Sequence, residues 1–328
     1  MILICFGTRP EWLKVKPLIN KINCKLLFTG QHSDLLSGVT CDYKISKEQS
    51  SSNRLDSIIA NCLLNFPSDP AITAVLIQGD TASAYACALA AFNRKLKVIH
   101  LEAGLRTYDL EHPYPEEGYR QMISRITDIH LCPTTLAKNR LIEEKCMGEF
   151  HVVGNTVLDN LVEHRNHITY ENKILITLHR RENHEILKDW FIAINNLAEA
   201  YPNLEFILPI HPNPEVAKHV SLLTNIKVIE PLNHLDLLNL LKSCLLVITD
   251  SGGIQEEASF LQKKSIVCRK VTERPEGIET GHLHMCKNFT ELSSIFDKLS
   301  SDYLISESCP YGDGKTSEMV VKILEDSL

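Results

Sequence analysis

Acidic residues at the ends of apolar runs are the sharpest chemical feature of the chain. Asp80 stands in Gln78-Gly79-Asp80-Thr81, closing the strand expected at 75–78. Glu102 opens Glu102-Ala103-Gly104-Leu105-Arg106, closing the strand expected at 98–101. An acid placed directly after a buried strand is costly unless it is solvated, paired or functional. Such strand ends are also where ligands bind in open α/β sheets. Glu116 and Glu117 follow Pro113-Tyr114-Pro115 and open a helix. For them, compensation of the helix dipole is the plainer reading. Asp80, Glu102 and Glu116 converging on one cleft would suit removal and delivery of protons.

A second set of residues suits anions. The strand at 245–250 runs into Ser251-Gly252-Gly253 and a helix, an arrangement that aims backbone N–H groups at a phosphate. The Ser251 hydroxyl adds a donor; an ordinary N-capped turn is the alternative. Glu257, one turn into that helix, can accept from two vicinal ribose hydroxyls or simply compensate the helix dipole. In Gly7-Thr8-Arg9-Pro10-Glu11, Pro10 fits the first helical position. Arg9 and Lys14 together suit a diphosphate, with a solvated basic helix end as the alternative. His179 in His179-Arg180-Arg181-Glu182-Asn183 and His211 in Pro209-Ile210-His211-Pro212 each follow a strand, though a lone histidine there is more often structural. Arg274 in Thr272-Glu273-Arg274-Pro275-Glu276 can reach a phosphate or belong to a surface charge cluster. Gly312-Asp313-Gly314-Lys315-Thr316 ends like a P-loop, but Cys309 stands where the first glycine is required, so it reads as a helix N-terminus. No metal-ligand spacing occurs, and neither metal nor cofactor is expected.

The elements that carry these residues follow from patterning. The 328 residues suggest about two domains at ~150 residues each. The net charge of −7 gives no overall attraction to nucleic acid or to an anionic membrane. The 11 cysteines are scattered without a C-x-x-C pair, which implies thiols in a reducing, cytoplasmic setting. Residues 1–6 read as a strand, not a signal peptide, and no apolar stretch is long enough for a transmembrane helix. Short apolar runs (2–6, 25–28, 74–77, 98–101, 129–132, 150–153, 174–177, 205–209, 227–229, 245–249, 264–268) alternate with helix-length stretches. Those stretches lie at 10–22, 54–65, 81–93, 115–127, 135–145, 157–164, 186–201, 214–223, 235–242 and 253–261, with Pro17 disturbing the first. The alternation predicts an α/β chain of parallel sheets. The expected division is 1–160, 161–310 and a tail, 311–328, whose helix packs back on the first lobe.

Taken in order, these motifs strongly resemble the non-hydrolysing UDP-N-acetylglucosamine 2-epimerases. The match runs through Gly7-Thr8-Arg9-Pro10-Glu11 with Lys14 and Pro17, Gly79-Asp80-Thr81, Glu102 to Thr107, and Pro115-Glu116-Glu117 with Arg120. It continues through Gly154-Asn155-Thr156, His179 to Asn183, His211-Pro212-Asn213-Pro214, 249–257 and 272–275. The resemblance implies a GT-B architecture, two Rossmann-like parallel-sheet lobes with the active site in the cleft between them. It implies interconversion of UDP-GlcNAc and UDP-ManNAc through 2-acetamidoglucal and enzyme-held UDP. Asp80, Glu102 and Glu116 would then be the acid/base carboxylates, their assignment to the two sugar faces left open, with His179 at the diphosphate as a further catalytic residue. Arg9, Lys14, His211, Ser251, Gly252, Gly253, Glu257 and Arg274 would hold the UDP-sugar. A homodimer is expected on the same ground.

The departures from the family also carry expectations. The chain is shorter than typical members, mainly between Gln31 and Asp80. Gln31-His32-Ser33-Asp34-Leu35-Leu36 and Asn183-His184-Glu185 differ from the bacterial pattern beside a regulatory UDP-GlcNAc site. Weakened or absent activation by UDP-GlcNAc is therefore expected. Three rivals share much of the reading: a hydrolysing 2-epimerase releasing ManNAc and UDP, an epimerase of another UDP-2-acetamido sugar, and a GT-B glycosyltransferase. A non-catalytic nucleotide-sugar sensor is the rival from outside the enzymes.

Overall fold

The structure is a computed structural model that describes residues 1–32, 39–45, 51–210 and 213–328. The chain divides into two compact units, residues 1–160 with 312–328, and residues 161–311.

Unit 1 contains β1 (Ile2–Phe6), α1 (Arg9–Val15), β2 (Cys24–Phe28), β3 (Tyr43–Lys44), α2 (Arg54–Leu64), β4 (Ala74–Gln78), α3 (Ala82–Asn93), β5 (Lys97–Leu101), α4 (Glu116–Ser124), β6 (Ile129–Cys132), α5 (Thr135–Glu143) and β7 (Glu149–Val152). The strands form one parallel sheet in the order β3-β2-β1-β4-β5-β6-β7. β1 shows why the runs are apolar throughout. Successive side chains of a strand point to opposite faces. Leu3 and Cys5 pack with Cys62, Ala86, Cys87 and Ala90 of α2 and α3. Ile2, Ile4 and Phe6 pack on the other face with Val15. Covered on both sides, the strand has no polar face to show.

Unit 2 contains β8 (Lys173–Thr177), α6 (Leu187–Ala200), β9 (Glu205–Pro209), α7 (Pro214–Ala217), β10 (Lys227–Ile229), α8 (His234–Ser243), β11 (Leu246–Thr249), α9 (Gly252–Phe260), β12 (Ser265–Val267), α10 (Glu276–Glu279), β13 (Leu283–Met285) and α11 (Leu292–Ser301). Its parallel sheet runs β10-β9-β8-β11-β12-β13. Trp190, Phe191, Phe206 and Phe296 fill its core beside Ile174, Ile176 and Ile248. The chain then returns to unit 1 as α12 (Thr316–Ser327), whose Val320 and Leu324 join the β1 core. Asp159 accepts the Thr316 and Ser317 N–H groups at 3.1 and 2.7 Å, which makes 312–316 a helix start and not a P-loop.

Several elements differ from the sequence expectation. The first helix ends at Val15, and Pro17 lies in a following 3₁₀ turn, Lys16–Leu18. The stretch 214–223 splits into α7 and a 3₁₀ turn at Val220–Leu222. Residues Thr156–Arg165 form a 3₁₀ helix. β3, β13, α10 and α11 carry no sequence expectation; three of them have two to four residues, too few for a period to register.

Each sheet reverses its strand order once, between β1 and β4 in unit 1 and between β8 and β11 in unit 2. The carboxyl ends at such a reversal are the binding position of doubly wound sheets. Gly7 and Asp80 lie there in unit 1; His179 and Ser251 lie there in unit 2.

Candidate active site

In unit 1 the turn after β1 is held by a buried acid. Glu11 accepts the Gly7 and Thr8 N–H groups at 2.9 and 2.6 Å, and Thr8 returns a hydroxyl to the Glu11 N–H, a capping box. The other Glu11 oxygen accepts the Thr81 hydroxyl at 2.6 Å. Burial pushes the Glu11 carboxyl above its ordinary value, while the Thr81, Gly7 and Thr8 hydrogen bonds pull it down. The turn after β1 is thereby tied to the residue following Asp80. Gly7 has no room for a side chain, since a Cβ would collide with Thr29 Oγ1 and Ser83 Oγ.

The carboxylates sit around this turn. Glu102 is buried and takes left-handed backbone geometry, φ 69°, which a non-glycine residue rarely adopts. The Lys14 ammonium meets both of its oxygens at 2.7 and 2.6 Å, and Gln78 Nε2 donates to Oε2. A Cβ on Gly79 would stand 3.8 Å from Glu102 Oε2, so Glu102 lies beside the turn carrying Asp80. His100 Nε2 holds the Gly79 carbonyl at 2.8 Å. Asp80 pairs with Arg120 of α4 at 2.6 Å, and Arg120 also meets Glu117 at 3.2 Å. Glu117 is fully buried and accepts the Thr107 and Tyr108 N–H groups at 2.9 and 3.2 Å. It anchors the segment between β5 and α4. Half-buried Glu116 is the first residue of α4. Glu102 therefore lies beside Gly79, the neighbour of Asp80 in the chain, and α4 is tied to Asp80.

The two basic residues expected near this turn differ in setting. Arg9 and Lys14 do not form a single basic pair: Arg9 is exposed, whereas buried Lys14 is engaged by Glu102. The geometric reason is that Lys14 lies one turn beyond the start of α1 and reaches the end of β5.

In unit 2, α9 begins at Gly252 with Ser251 as N-cap residue, and the Ser251 side chain makes no capping hydrogen bond. The side-chain cap of a plain N-capped turn is therefore not made, and the first N–H groups of the helix lack that acceptor. Arg274 is buried against this start: a Cβ at Gly252 would lie 2.7 Å from its Nη1. Arg274 donates to Glu256 at 2.7 Å and pairs with Glu273. Glu273 also pairs with Arg269 at 3.0 Å, and Arg269 with Glu182 at 2.6 Å. The surface-cluster alternative for Arg274 is thus overturned by burial. Buried Glu257 faces His234 Nε2 at 3.2 Å through Oε1. Its Oε2, also buried, accepts no hydrogen bond among the described residues, an acceptor suited to a hydroxyl donor.

Asp250 is a residue of unit 2 to which the sequence reading assigns no role. Fully buried after β11, it accepts the His179 N–H at 3.1 and 3.0 Å, the Arg180 N–H at 2.9 Å and Asn183 Nδ2 at 3.0 Å. The signal was present, an acid directly after a buried strand, as with Asp80 and Glu102. The expected strand at 245–250 includes Asp250, whereas β11 ends at Thr249, which leaves Asp250 just past it. Glu11 holds Gly7, Thr8 and Thr81, Glu117 holds the Thr107 and Tyr108 N–H groups, and Glu256 holds Arg274, partners that residue type and spacing do not announce. His211 and positions 33–36 lie outside the described residues. Among the described residues, no cluster of His, Cys, Asp or Glu is arranged to hold a metal ion. No helix among them is long and apolar enough to cross a membrane.

Two Rossmann-like parallel-sheet units in one chain, each with polar residues at its strand-order reversal, define a protein of the GT-B type. A family model described as UDP-N-acetylglucosamine 2-epimerase matches residues 18–325. The UDP-N-acetylglucosamine 2-epimerase of Campylobacter jejuni is 36% identical over 377 residues, covering 98% of this chain and 97% of that protein. A crystal structure of UDP-GlcNAc 2-epimerase from Neisseria meningitidis bound to UDP-GlcNAc superposes with a TM-score of 0.89 at 33% identity, covering 99% of this chain and 100% of that one. The Methanocaldococcus jannaschii UDP-GlcNAc 2-epimerase, solved with UDP-GlcNAc and UDP, gives 0.82 at 29% identity, with 99% of each chain covered. The chain belongs to the UDP-N-acetylglucosamine 2-epimerase family.

Proposed function

We propose that this chain interconverts UDP-GlcNAc and UDP-ManNAc without hydrolysis. A carboxylate removes the C2 proton as the C1–O bond breaks, and the bond's electron pair leaves with the β-phosphate oxygen of UDP. A C1=C2 double bond forms, giving 2-acetamidoglucal. Protonation of C2 on the opposite face, with return of the UDP oxygen to C1, completes the inversion. Asp80, Glu102 and Glu116 serve as the acid/base set. A base and an acid on opposite faces require separated carboxylates, and each contributes about 10²–10⁴-fold.

Departure of UDP needs stabilised charge. His179, Arg9, Arg274 and the α9 start with Ser251, Gly252 and Gly253 supply it, and Glu257 takes the ribose hydroxyls. His211 adds a substrate contact. Lys14 serves through Glu102, compensating a carboxylate that burial would otherwise penalise. The single observation that carries the reading is the buried Glu102 in strained backbone geometry beside the Asp80 turn. The enzyme is proposed to act as a cytoplasmic homodimer.

Product analysis tests the reading. UDP-GlcNAc incubated with the protein is resolved by anion-exchange chromatography. UDP-ManNAc with total UDP-sugar conserved is the expected result. Stoichiometric free ManNAc and UDP would overturn it in favour of the hydrolysing reaction.

A further inference from the structure

Asp250 is a carboxyl group with no exposed surface. Such a group persists only where donors surround it. Three of its donors, the His179 and Arg180 N–H groups and Asn183 Nδ2, fix the turn after β8. Asn183 Nδ2 also reaches the Cys268 carbonyl at 3.0 Å, tying the turn to the end of β12. The fourth neighbour is a ring: His179 Nδ1 lies 3.6 Å from Asp250 Oδ1. The His179 side chain keeps 28% of its surface exposed, against none for Asp250.

We propose that Asp250 is a positioning residue for His179, holding Nδ1 toward the buried carboxylate so that Nε2 serves the departing diphosphate. The proposal rests on the diphosphate role of His179 given above. Nδ1 and Nε2 lie on opposite sides of the imidazole, so turning one to Asp250 turns the other away from it. The imidazolium, protonated on both nitrogens, is the form that bridges a carboxylate and a phosphate oxygen. At 3.6 Å the Nδ1 contact is longer than a hydrogen bond, and it shortens when the diphosphate arrives. No proton needs to leave Asp250: it accepts throughout, while Nε2–H donates to the oxygen that gains the electron pair.

Long-range ¹H–¹⁵N NMR of ¹⁵N-histidine-labelled protein, with UDP bound at one fixed pH, reads the ring directly. In the unsubstituted protein both His179 ring nitrogens are expected to show the protonated signature. Asp250→Asn is expected to bind UDP within ~3-fold, to lose that signature and to lose ~10²-fold in kcat with KM little changed. Asn183→Ala, which removes a clamp bond but no charge, is expected to lower the melting temperature and keep the signature. An Asp250→Asn ring indistinguishable from the original would overturn the proposal and leave Asp250 a backbone clamp. Should Asp250→Asn not fold, an unprotonated Nδ1 in the original UDP complex would overturn it equally. If the original protein shows the signature but does not epimerise UDP-GlcNAc, the proposed function fails while the Asp250–His179 relation stands.

Discussion

Glu102 shows how much of a site rests on one residue's surroundings. It is buried, its backbone is left-handed and its charge is met by Lys14. Replacing Lys14 by Met leaves that carboxylate uncompensated. Breaking one side of a buried pair costs about 3–5 kcal/mol, so Lys14→Met should lower the unfolding free energy measurably in urea. It should also cut turnover by at least ~10²-fold. UDP affinity by calorimetry should stay within ~3-fold, under 1 kcal/mol. A large loss of UDP affinity with normal kcat would return Lys14 to the diphosphate, where its spacing from Arg9 had placed it. At this scale the sequence was legible where one rule sufficed: Asp80 and Glu102 are acids just past apolar runs. It was illegible where a partner had to be known. Nothing in Thr272-Glu273-Arg274 tells that Arg274 meets Glu256, because that contact depends on how the loop after β12 folds back on α9.

Two elements carry testable consequences. Arg274 lies against Gly252 at the start of α9, where an added methyl would stand 2.7 Å from Nη1 and 3.1 Å from Cζ, and the proposed nucleotide site rests on that contact. Gly252→Ala should displace the guanidinium and weaken UDP binding ~10-fold or more, about 1.4 kcal/mol, and lower the melting temperature, because Arg274 is buried against Glu256 and Glu273. Unaltered UDP affinity would show that Arg274 does not serve the nucleotide. Strands β5 and β6 each bury a neutral histidine. Burial pulls His100 down to about 3 and His130 to about 4 from the ordinary 6.5, against hydrogen bonds to the Gly79 and Met147 carbonyls. Below pH 6.5 the unfolded chain therefore takes up protons that the folded chain refuses. Stability should be full above pH 6.5 and fall as the pH drops toward 4. Between pH 7.5 and 5 the pair should cost on the order of 4 kcal/mol. Urea unfolding at the two pH values measures this, and equal stabilities would contradict it. Elements were legible as far as burial was uniform: the strands covered on both faces announce themselves. Helix ends were not, because capping and early termination, as at Val15 before Pro17, are decided by local geometry.

At the scale of the whole chain, one topological plan appears twice. Both sheets reverse order between their first and fourth strands in sequence, and both place their polar turns at that reversal. At the reversal unit 1 carries Gly7 and Asp80, and unit 2 carries His179 and Ser251 with the start of α9. These strand ends were legible because motifs recur in order along the chain. The return of the chain to unit 1 as α12 rests on Val320, Leu324 and the Asp159 cap. The central claim, inversion through loss and return of the C2 proton, is tested most directly by proton NMR of UDP-GlcNAc with the protein in D₂O. UDP-ManNAc carrying deuterium at C2 is the predicted product. UDP-ManNAc that keeps its original C2 proton, or free ManNAc with UDP, would contradict it.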